Sequence, residues 1–262
     1  MTHDFETLEF TVADKVACIT LNRPDAANGL NMQMSEDLRR AAVLCDTEPT
    51  IKAVVLTANG RFFCAGGDLK AMVSFGDAVG QNVKTLADNL HMAISTFSRM
   101  AAPLIVAVNG MAAGAGFSLA VTGDYVIASD KAAFTMAYTK AGLSPDGSSS
   151  YFLPRLIGLR RTQDLMLTNR MLSSQEALEW GAISRVVEAE ALMPAAMELA
   201  QNLAAGSLRS HAIVKKLLLA SFGNGLETQM EIEGRYISQC ASSADGQEGL
   251  AAFSEKRAPK FE

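Results

Sequence analysis

The sequence contains few aromatic and few charged residues, and its cysteines have no metal-binding spacing. Only 6% of its 262 residues are aromatic and 19% are charged, whereas 49% are hydrophobic. Aliphatic side chains and methionine must therefore fill the core, and the length allows one large α/β domain or two small ones. The four cysteines are widely separated and include no CxxC pair, so we interpret them as free, buried thiols.

Acidic side chains outnumber basic ones, 28 to 23, so the chain carries a net charge of −5. It has no basic stripe, which argues against nucleic acid as a partner. Its first residues, Met-Thr-His-Asp-Phe-Glu, have neither the basic nor the apolar region of a signal peptide, and we expect a cytoplasmic protein. Residues 101–123 are uncharged and long enough to cross a bilayer. Because Asn109-Gly110 is a strong turn signal, we interpret them instead as a buried strand, a turn and a buried helix.

Strands and helices alternate along the chain. Short apolar runs predict strands at Val16–Leu21, 51–57, Leu104–Val108, 125–128, 133–136 and 184–187. Helical spacing predicts a helix capped by Asn31 that runs to about Cys45, a longer helix at 78–99, and helices from residue 191 onward. This alternation favours parallel strands joined by crossovers. We therefore predict an α/β core over residues 1–195 and a C-terminal helical segment over residues 196–262.

Two loops rich in small residues, 60–70 and 109–118, each leave a predicted strand and enter a predicted helix. Small residues let a ligand approach the backbone closely, and a helix N-terminus offers unpaired N–H donors. If one N–H from each loop pointed at the same oxygen, the pair would form an oxyanion hole for a thioester enolate. The same composition also suits tight strand–helix packing or phosphate binding, although neither loop has a GxGxxG or P-loop pattern.

Four segments, in order from about residue 8 to residue 261, resemble signatures of the enoyl-CoA hydratase/isomerase (crotonase) superfamily. They resemble its LNRP…NAL, FxAGxDL, NGxAxGxGxxLA and GxxAFxEKR elements and lie at residues 19–30, 63–69, 109–120 and 249–257. The resemblance implies an α/β fold, a crotonase-like spiral of ββα units with a C-terminal helical trimerisation region. It also implies a homotrimer or hexamer that binds an acyl-CoA substrate, with no membrane partner.

The resemblance places the oxyanion hole at the N–H groups of Gly67 and Ala115. It places coenzyme A, as part of the substrate thioester, near residues of the first loop, the NAL element and the C-terminal tail: Ala27, Gly29, Ala65, Asp68, Leu69, Lys70, Phe253 and Lys256. We interpret Asp68 as a helix N-cap rather than a catalyst. The family's basic residue before the NAL element is absent, because Asp25-Ala26-Ala27 stand there. We expect no permanently bound cofactor and no metal.

The residues after the second loop bear on the reaction. Hydratases of this superfamily use two glutamates, and the matching positions here are Ser118 and Tyr138, which are poor bases for activating water. Asp146 lies in a GLSPDG segment that resembles the GLxPDxG motif of the isomerase branch, including Δ3,Δ2-enoyl-CoA and 1,2-epoxyphenylacetyl-CoA isomerases. We therefore predict an acyl-CoA double-bond isomerase with Asp146 as its acid/base, although Pro-Asp-Gly is also a common turn.

Other functions stay open on the sequence alone. They are an enoyl-CoA hydratase with atypical residues, a dehalogenase-like CoA thioester hydrolase, and a non-catalytic CoA-binding subunit. In 4-chlorobenzoyl-CoA dehalogenases a histidine matches His91, an aspartate nucleophile matches Asp146 and a tryptophan stands at the place of Tyr138. We interpret His91 as a packing or capping residue. Ser148-Ser149 stand where many relatives have glycine, and we expect residues 71–90 to line part of the acyl pocket.

Overall fold

The computed structural model describes residues 4–261, and within this range ten strands form two sheets. The strands are β1 (Leu8–Ala13), β2 (Val16–Leu21), β3 (Ala53–Ala58), β4 (Phe62–Cys64), β5 (Leu104–Val108), β6 (Met111–Ala113), β7 (Tyr125–Ser129), β8 (Ala133–Thr135), β9 (Leu172–Ser173) and β10 (Arg185–Val187). The larger sheet has the order β1-β2-β3-β5-β7-β10, and the smaller has the order β4-β6-β8-β9. All pairs are parallel except β1–β2 and β8–β9.

Eleven α-helices surround the sheets in the described range. They are α1 (Met32–Thr47), α2 (Leu69–Val73), α3 (Val79–Arg99), α4 (Ala115–Ala120), α5 (Ser149–Ile157), α6 (Leu159–Thr168), α7 (Ser174–Trp180), α8 (Leu192–Ala204), α9 (Leu208–Ser221), α10 (Leu226–Ala241) and α11 (Ala244–Glu255). No helix among these residues is long and apolar enough to cross a membrane. The uncharged segment at 101–123 forms β5, β6 and α4, which confirms its interpretation as a buried strand, a turn and a helix.

The chain repeats one unit three times: a strand of the larger sheet, a short strand of the smaller sheet, then helix. The units begin at β3, β5 and β7, and their second strands are β4, β6 and β8. Since β4 and β6 are parallel neighbours in the smaller sheet, the loops that follow them lie at one edge of that sheet. The repeat therefore places residues 65–68 beside residues 114–115.

Both faces of the larger sheet are covered. Along β3, Val54 and Leu56 belong to the main core, whereas Ala53 and Val55 pack on the opposite face against α8. Strands buried on both faces are continuously apolar, which is why β3 and β5 could be predicted from short apolar runs. The predicted division at residues 195 and 196 falls inside α8, which packs on the sheet; a separate C-terminal unit stays a prediction.

Several local predictions are confirmed, but four strands were missed: β1 and the short strands β4, β6 and β9 of the smaller sheet. The Asn31 side chain caps α1 by accepting a hydrogen bond from the Met34 N–H at 2.9 Å. α3 buries Leu86, Leu90, Ile94 and Phe97 on one face, as their helical spacing predicts. β1 was not predicted, because as an antiparallel edge strand it buries only Leu8 and Phe10 and lacks an apolar run.

Candidate active site

The two small-residue loops touch each other at the edge of the sheets. A methyl group placed on Gly66 would lie 2.9 Å from the carbonyl oxygen of Ala113 and 3.5 Å from the nitrogen of Ala115. One placed on Gly116 would lie 2.2 Å from the carbonyl oxygen of Cys64. The glycines are therefore needed for close approach of two backbones. This packing brings together the loops that carry Gly67 and Ala115.

Gly67 and Ala115 supply backbone N–H groups that the fold does not use. The neighbours of Gly67 pair with Leu30: the Leu30 N–H donates to Gly66 at 2.7 Å, and the Asp68 N–H donates to Leu30 at 2.9 Å. Ala115 is the first residue of α4. Among the described residues, neither the Gly67 nor the Ala115 N–H makes a backbone hydrogen bond. Two free donors at adjoining loops can bind one anionic oxygen.

Asp146 follows at the turn before α5, and its backbone is held by three hydroxyl groups. The carbonyl oxygen of Asp146 lies 2.8 Å from Ser118 Oγ, 3.0 Å from Ser149 Oγ and 3.1 Å from Tyr138 Oη. Ser118 Oγ and Tyr138 Oη are also 2.9 Å apart. Burial raises the pKa of Tyr138 far above its usual value, so the phenol stays protonated and able to donate. These contacts orient the Asp146 turn.

The two serines after Gly147 have distinct structural roles. Ser148 adopts a left-handed φ of 65°, which glycine adopts without strain. Ser149 is buried and bonds the Asp146 carbonyl. A methyl group on Gly147 would lie 3.0 Å from Cβ of Ser118, so this turn packs directly on α4. Replacing glycine with Ser149 thus adds a hydroxyl donor beneath Asp146.

His91 contacts Asp146, a contact that the sequence did not predict, and its interpretation as a packing or capping residue stays a prediction. Its Nε2 lies 2.7 Å from Asp146 Oδ1. The side chains are 47% and 36% exposed, respectively, so the pair is accessible to solvent in this chain. His91 lies on the flank of α3 next to the buried Leu90 face, because α3 packs across the Asp146 turn. The sequence does place His91, Ser95 and Arg99 at four-residue spacing, which indicates one polar face of α3. It does not indicate which segment that face meets.

A cavity of about 360 Å³, which we call the loop cavity, adjoins both loops. Its walls include Gly67, Ala115 and Asp146. Residues 71–90 contribute Met72, Gly80, Val83, Lys84, Leu86, Ala87 and Leu90 to its walls, and their contact with the acyl group stays a prediction. Of the described residues that line the loop cavity, Asp146 is the one carboxylate and Lys84 the one cation. The free N–H donors and a single carboxylate therefore share an otherwise largely apolar space.

Comparison with known proteins decides the family. The family model described as enoyl-CoA hydratase/isomerase matches residues 11–262. The chain belongs to the enoyl-CoA hydratase/isomerase family. It is 38% identical to a 1,2-epoxyphenylacetyl-CoA isomerase of Escherichia coli over 94% of each chain. It is also 36% identical to a probable enoyl-CoA hydratase of Rhodobacter capsulatus, over 98% of each chain.

Solved structures agree with this assignment. The fold matches the crystal structure of a putative enoyl-CoA hydratase from Streptomyces coelicolor A3(2) with a TM-score of 0.94 and 31% identity. The match covers all of this chain and 96% of the other. The predicted crotonase-like spiral of ββα units is therefore confirmed, as is the prediction of an enzyme, and the family acts on acyl-CoA substrates.

In this enoyl-CoA hydratase/isomerase family member, most of the residues that the resemblance assigns to coenzyme A cluster at the first loop. Ala65 and Leu69 line the loop cavity, and the Ala65 N–H donates to the Ala27 carbonyl at 3.0 Å. Gly29 lies against Asp68, since a methyl group on Gly29 would be 3.4 Å from Cβ of Asp68. Lys70 follows in α2 with its side chain exposed. Contact of these residues with coenzyme A stays a prediction.

Phe253 and Lys256 lie elsewhere in this chain. Phe253 is in α11 and is 87% exposed, and Lys256 ends that helix with a left-handed φ of 55°. α11 packs against α10, and neither residue lines the loop cavity. Within one chain, Phe253 and Lys256 therefore do not lie at the first loop.

Asp68 has the structural role that we predicted. Its side chain caps α2 by accepting from the Ala71 N–H at 3.1 Å, and it pairs with Arg23 at 3.1 Å. Burial opposes ionisation, but the bonds from Ala71 and Arg23 outweigh it and hold the pKa of Asp68 below its ordinary value. An ionised carboxylate thus ties the Arg23 turn to the first loop.

Cys64 lies beneath the first loop, out of contact with solvent. It is fully buried, and burial raises the pKa of its thiol to about 12, while the bond to Gly66 acts in the opposite direction. The Gly66 N–H lies 3.4 Å from its sulfur. All four cysteines are free thiols, as predicted, although Cys18 and Cys240 are only partly buried. Within residues 4–261, no cluster of three or more His, Cys, Asp or Glu side chains could hold a metal.

Proposed function

We propose that this chain is an acyl-CoA double-bond isomerase in which Asp146 moves the proton. The observation that carries this proposal is the composition of the loop cavity. Asp146 faces the space bounded by Gly67 and Ala115, and the described walls contain no second carboxylate. The two positions where hydratases have glutamate, Ser118 and Tyr138, instead bond the Asp146 backbone.

The chemistry of isomerisation matches one carboxylate. The N–H groups of Gly67 and Ala115 bind the thioester oxygen and stabilise the negative charge that develops on it. The Asp146 carboxylate removes a proton from C2 of a 3-enoyl thioester, which leaves a dienolate. The same carboxyl group then returns a proton at C4, and the double bond ends between C2 and C3. No water is consumed, so a second acid/base group is not needed.

The loop cavity also restricts the acyl group. Its lining is largely apolar, with Met72, Val83, Leu86, Leu90 and Leu143 among its walls. Its volume of about 360 Å³ lies at the small end of ligand sites. We therefore propose an uncharged, short or medium acyl group as the preferred substrate.

The test follows absorbance of the conjugated thioester. With a 3-enoyl-CoA of six to ten carbons, roughly the size that the cavity volume allows, absorbance is expected to rise. Loss of absorbance with crotonyl-CoA would instead support hydration. Asp146→Asn should lower kcat by at least about 10³-fold because the base is removed. Asp46→Asn, on the exposed face of α1, is the matched control and should retain activity. Full activity of Asp146→Asn contradicts the mechanism.

A dehalogenase-like hydrolase acting on CoA thioesters is a second candidate, favoured by the His91–Asp146 contact. In this reaction Asp146 would attack the ring carbon that bears chlorine, chloride would leave, and the resulting aryl ester would be hydrolysed by a water molecule that His91 activates. The test is chloride release from 4-chlorobenzoyl-CoA. Release of chloride without any conjugation of 3-enoyl-CoA would replace the isomerase proposal with this one.

We also propose that the chain self-associates, as a trimer or hexamer, through its C-terminal helices. In α10, no residue is buried within this chain. Large exposed apolar side chains are concentrated on α9, α10 and α11: Leu218, Phe222, Leu226, Met230, Ile237, Leu250 and Phe253. Apolar surface on this scale is typical of protein–protein interfaces. Light scattering after size-exclusion chromatography should give three or six chain masses, and a monomer would overturn this proposal.

A further inference from the structure

The His91–Asp146 pair separates two cavities. Asp146 lines the loop cavity, whereas His91 lines a larger cavity of about 900 Å³ that we call the helix cavity. The helix cavity lies between α3, α5, α9 and α10, and it does not include Gly67 or Ala115. The hydrogen bond between His91 Nε2 and Asp146 Oδ1, at 2.7 Å, joins a side chain of the helix cavity to a side chain of the loop cavity.

α3 lines both cavities with different stretches of its surface. Val83, Leu86 and Leu90 face the loop cavity, while Ser95, Ser98 and Arg99 face the helix cavity. His91 lies where one stretch gives way to the other. The side-chain contact that joins Asp146 to the second cavity is therefore positioned by a long helix rather than by a mobile loop.

The helix cavity is open to solvent in this chain, and polar groups interrupt its apolar walls. Its charged groups are Arg99 and Lys216, and no carboxylate lines it among the described residues. Hydroxyl groups of Ser95, Ser98, Ser148, Tyr151 and Tyr236 complete the polar lining. An open cavity of this size with several hydrogen-bonding groups on its walls holds water. A proton that reached His91 could therefore exchange with water without entering the loop cavity.

We propose that His91 is a positioning residue that passes the transferred proton between Asp146 and the water of the helix cavity. This inference rests on the proposed isomerase function. It adds a separate consequence: the hydrogen that arrives at C4 comes from solvent rather than from C2 of the same substrate molecule.

The proton balance is as follows. The Asp146 carboxylate takes the proton from C2 and becomes a carboxylic acid, with the electron pair in the dienolate. The acid passes that proton to Nε2 of His91 in the tautomer that carries its ring hydrogen on Nδ1, and the transfer leaves a carboxylate beside an imidazolium. The solvent-exposed imidazolium releases the Nε2 proton to water in the helix cavity, takes up a solvent proton at the same nitrogen, and returns that proton to Asp146. Asp146 then protonates C4, and both side chains regain their starting forms.

The experiment measures deuterium in the product. The enzyme converts 3-enoyl-CoA in D₂O, and the 2-enoyl product is analysed by mass spectrometry and NMR at early conversion, before the reverse reaction contributes. The wild-type product should carry deuterium at C4 in most molecules. His91→Gln keeps a hydrogen-bonding group but cannot carry a proton at neutral pH, so its product should contain at least five-fold less deuterium.

Met92→Ala is the matched control, because Met92 neighbours His91 on α3 and is 52% exposed. Its product should contain as much deuterium as the wild-type product. Equal deuterium in wild-type and His91→Gln products, or a wild-type product without deuterium, would overturn the relay. If His91→Gln failed to fold, His91→Asn gives the same comparison. Failure of the isomerase proposal is distinguishable, since no conjugated product would then form from 3-enoyl-CoA.

Discussion

Ala115→Pro tests the oxyanion hole by removing one N–H donor and no side-chain function. Ala115 is the first residue of α4, a position at which proline is favoured because its N–H would be unpaired in any case. The proline ring fixes a φ close to the helical value. The substitution should therefore leave the helix intact, while the ring occupies the direction of the lost N–H.

The magnitude follows from the number of donors. Gly67 and Ala115 each supply one free N–H group at the adjoining loops, and loss of one oxyanion donor costs about 2.7–4 kcal/mol of barrier. We expect kcat for conversion of 3-enoyl-CoA to fall by about 10²–10³-fold. KM should change little, because a donor that acts chiefly on developing charge contributes to the transition state rather than to substrate binding.

The assay is the initial rate of conjugated-thioester formation, with circular dichroism and a thermal melt to confirm the fold. Ala244→Pro makes the same substitution at the first residue of α11, after an extended N-cap, Ser243. This control should keep wild-type activity and stability. A folded Ala115→Pro enzyme with kcat within about three-fold of wild type would refute the assignment, because a true oxyanion donor is worth far more.

Two further predictions concern stability. Lys215 is buried and donates to the carbonyls of Phe97 and Ala102 at 2.9 and 3.0 Å, besides pairing with Asp124 at 2.6 Å. Lys215→Met should lower the free energy of unfolding by about 3 kcal/mol in urea, whereas the exposed Lys216→Met should change it by less than about 0.5 kcal/mol; equal losses would contradict the argument. The lowered pKa of Asp68 means that its bonds stabilise the fold above the unfolded pKa of about 3.9, and this stabilisation is lost as pH falls through the lower folded pKa. The difference in Tm between the wild type and Asp68→Asn should therefore be largest near neutral pH and smaller in acid. A difference that grew as pH fell would contradict the stabilising role of the ionised Asp68 carboxylate.

The sequence predicts those parts of the structure that depend on local patterns. Val16–Leu21 and Leu104–Val108 are short apolar runs and became β2 and β5 with the predicted bounds. Asn31 caps its helix because its side-chain oxygen needs only the N–H three residues later. The loops around Gly67 and Ala115 were found through small residues after strands.

Contacts between distant segments could not be read in this way. His91 and Asp146 are 55 residues apart, and their contact depends on how α3 crosses the turn before α5. The periodicity of α3 identifies its buried face but not the element that meets its flank. β1 was missed for a related reason, since its position at the edge of the sheet is set by pairing with β2 rather than by its own composition.

The substitution of both hydratase glutamates gains a physical meaning from the structure. The site lacks two carboxylates because Ser118 and Tyr138 stand at these positions. Both hydroxyl groups also lie within 3.1 Å of the Asp146 carbonyl oxygen and hold its turn. Glutamate at Ser118 would place a second negative charge beside Asp146, and like charges in a confined site oppose each other's ionisation. A carboxylate at position 118 accepts hydrogen bonds only, so it could not replace the Ser118 hydroxyl as a donor to the Asp146 carbonyl oxygen. Reverting Ser118 alone to glutamate should therefore impair Asp146 rather than create a hydratase, because the orientation of Asp146 and the absence of the two glutamates are parts of one arrangement.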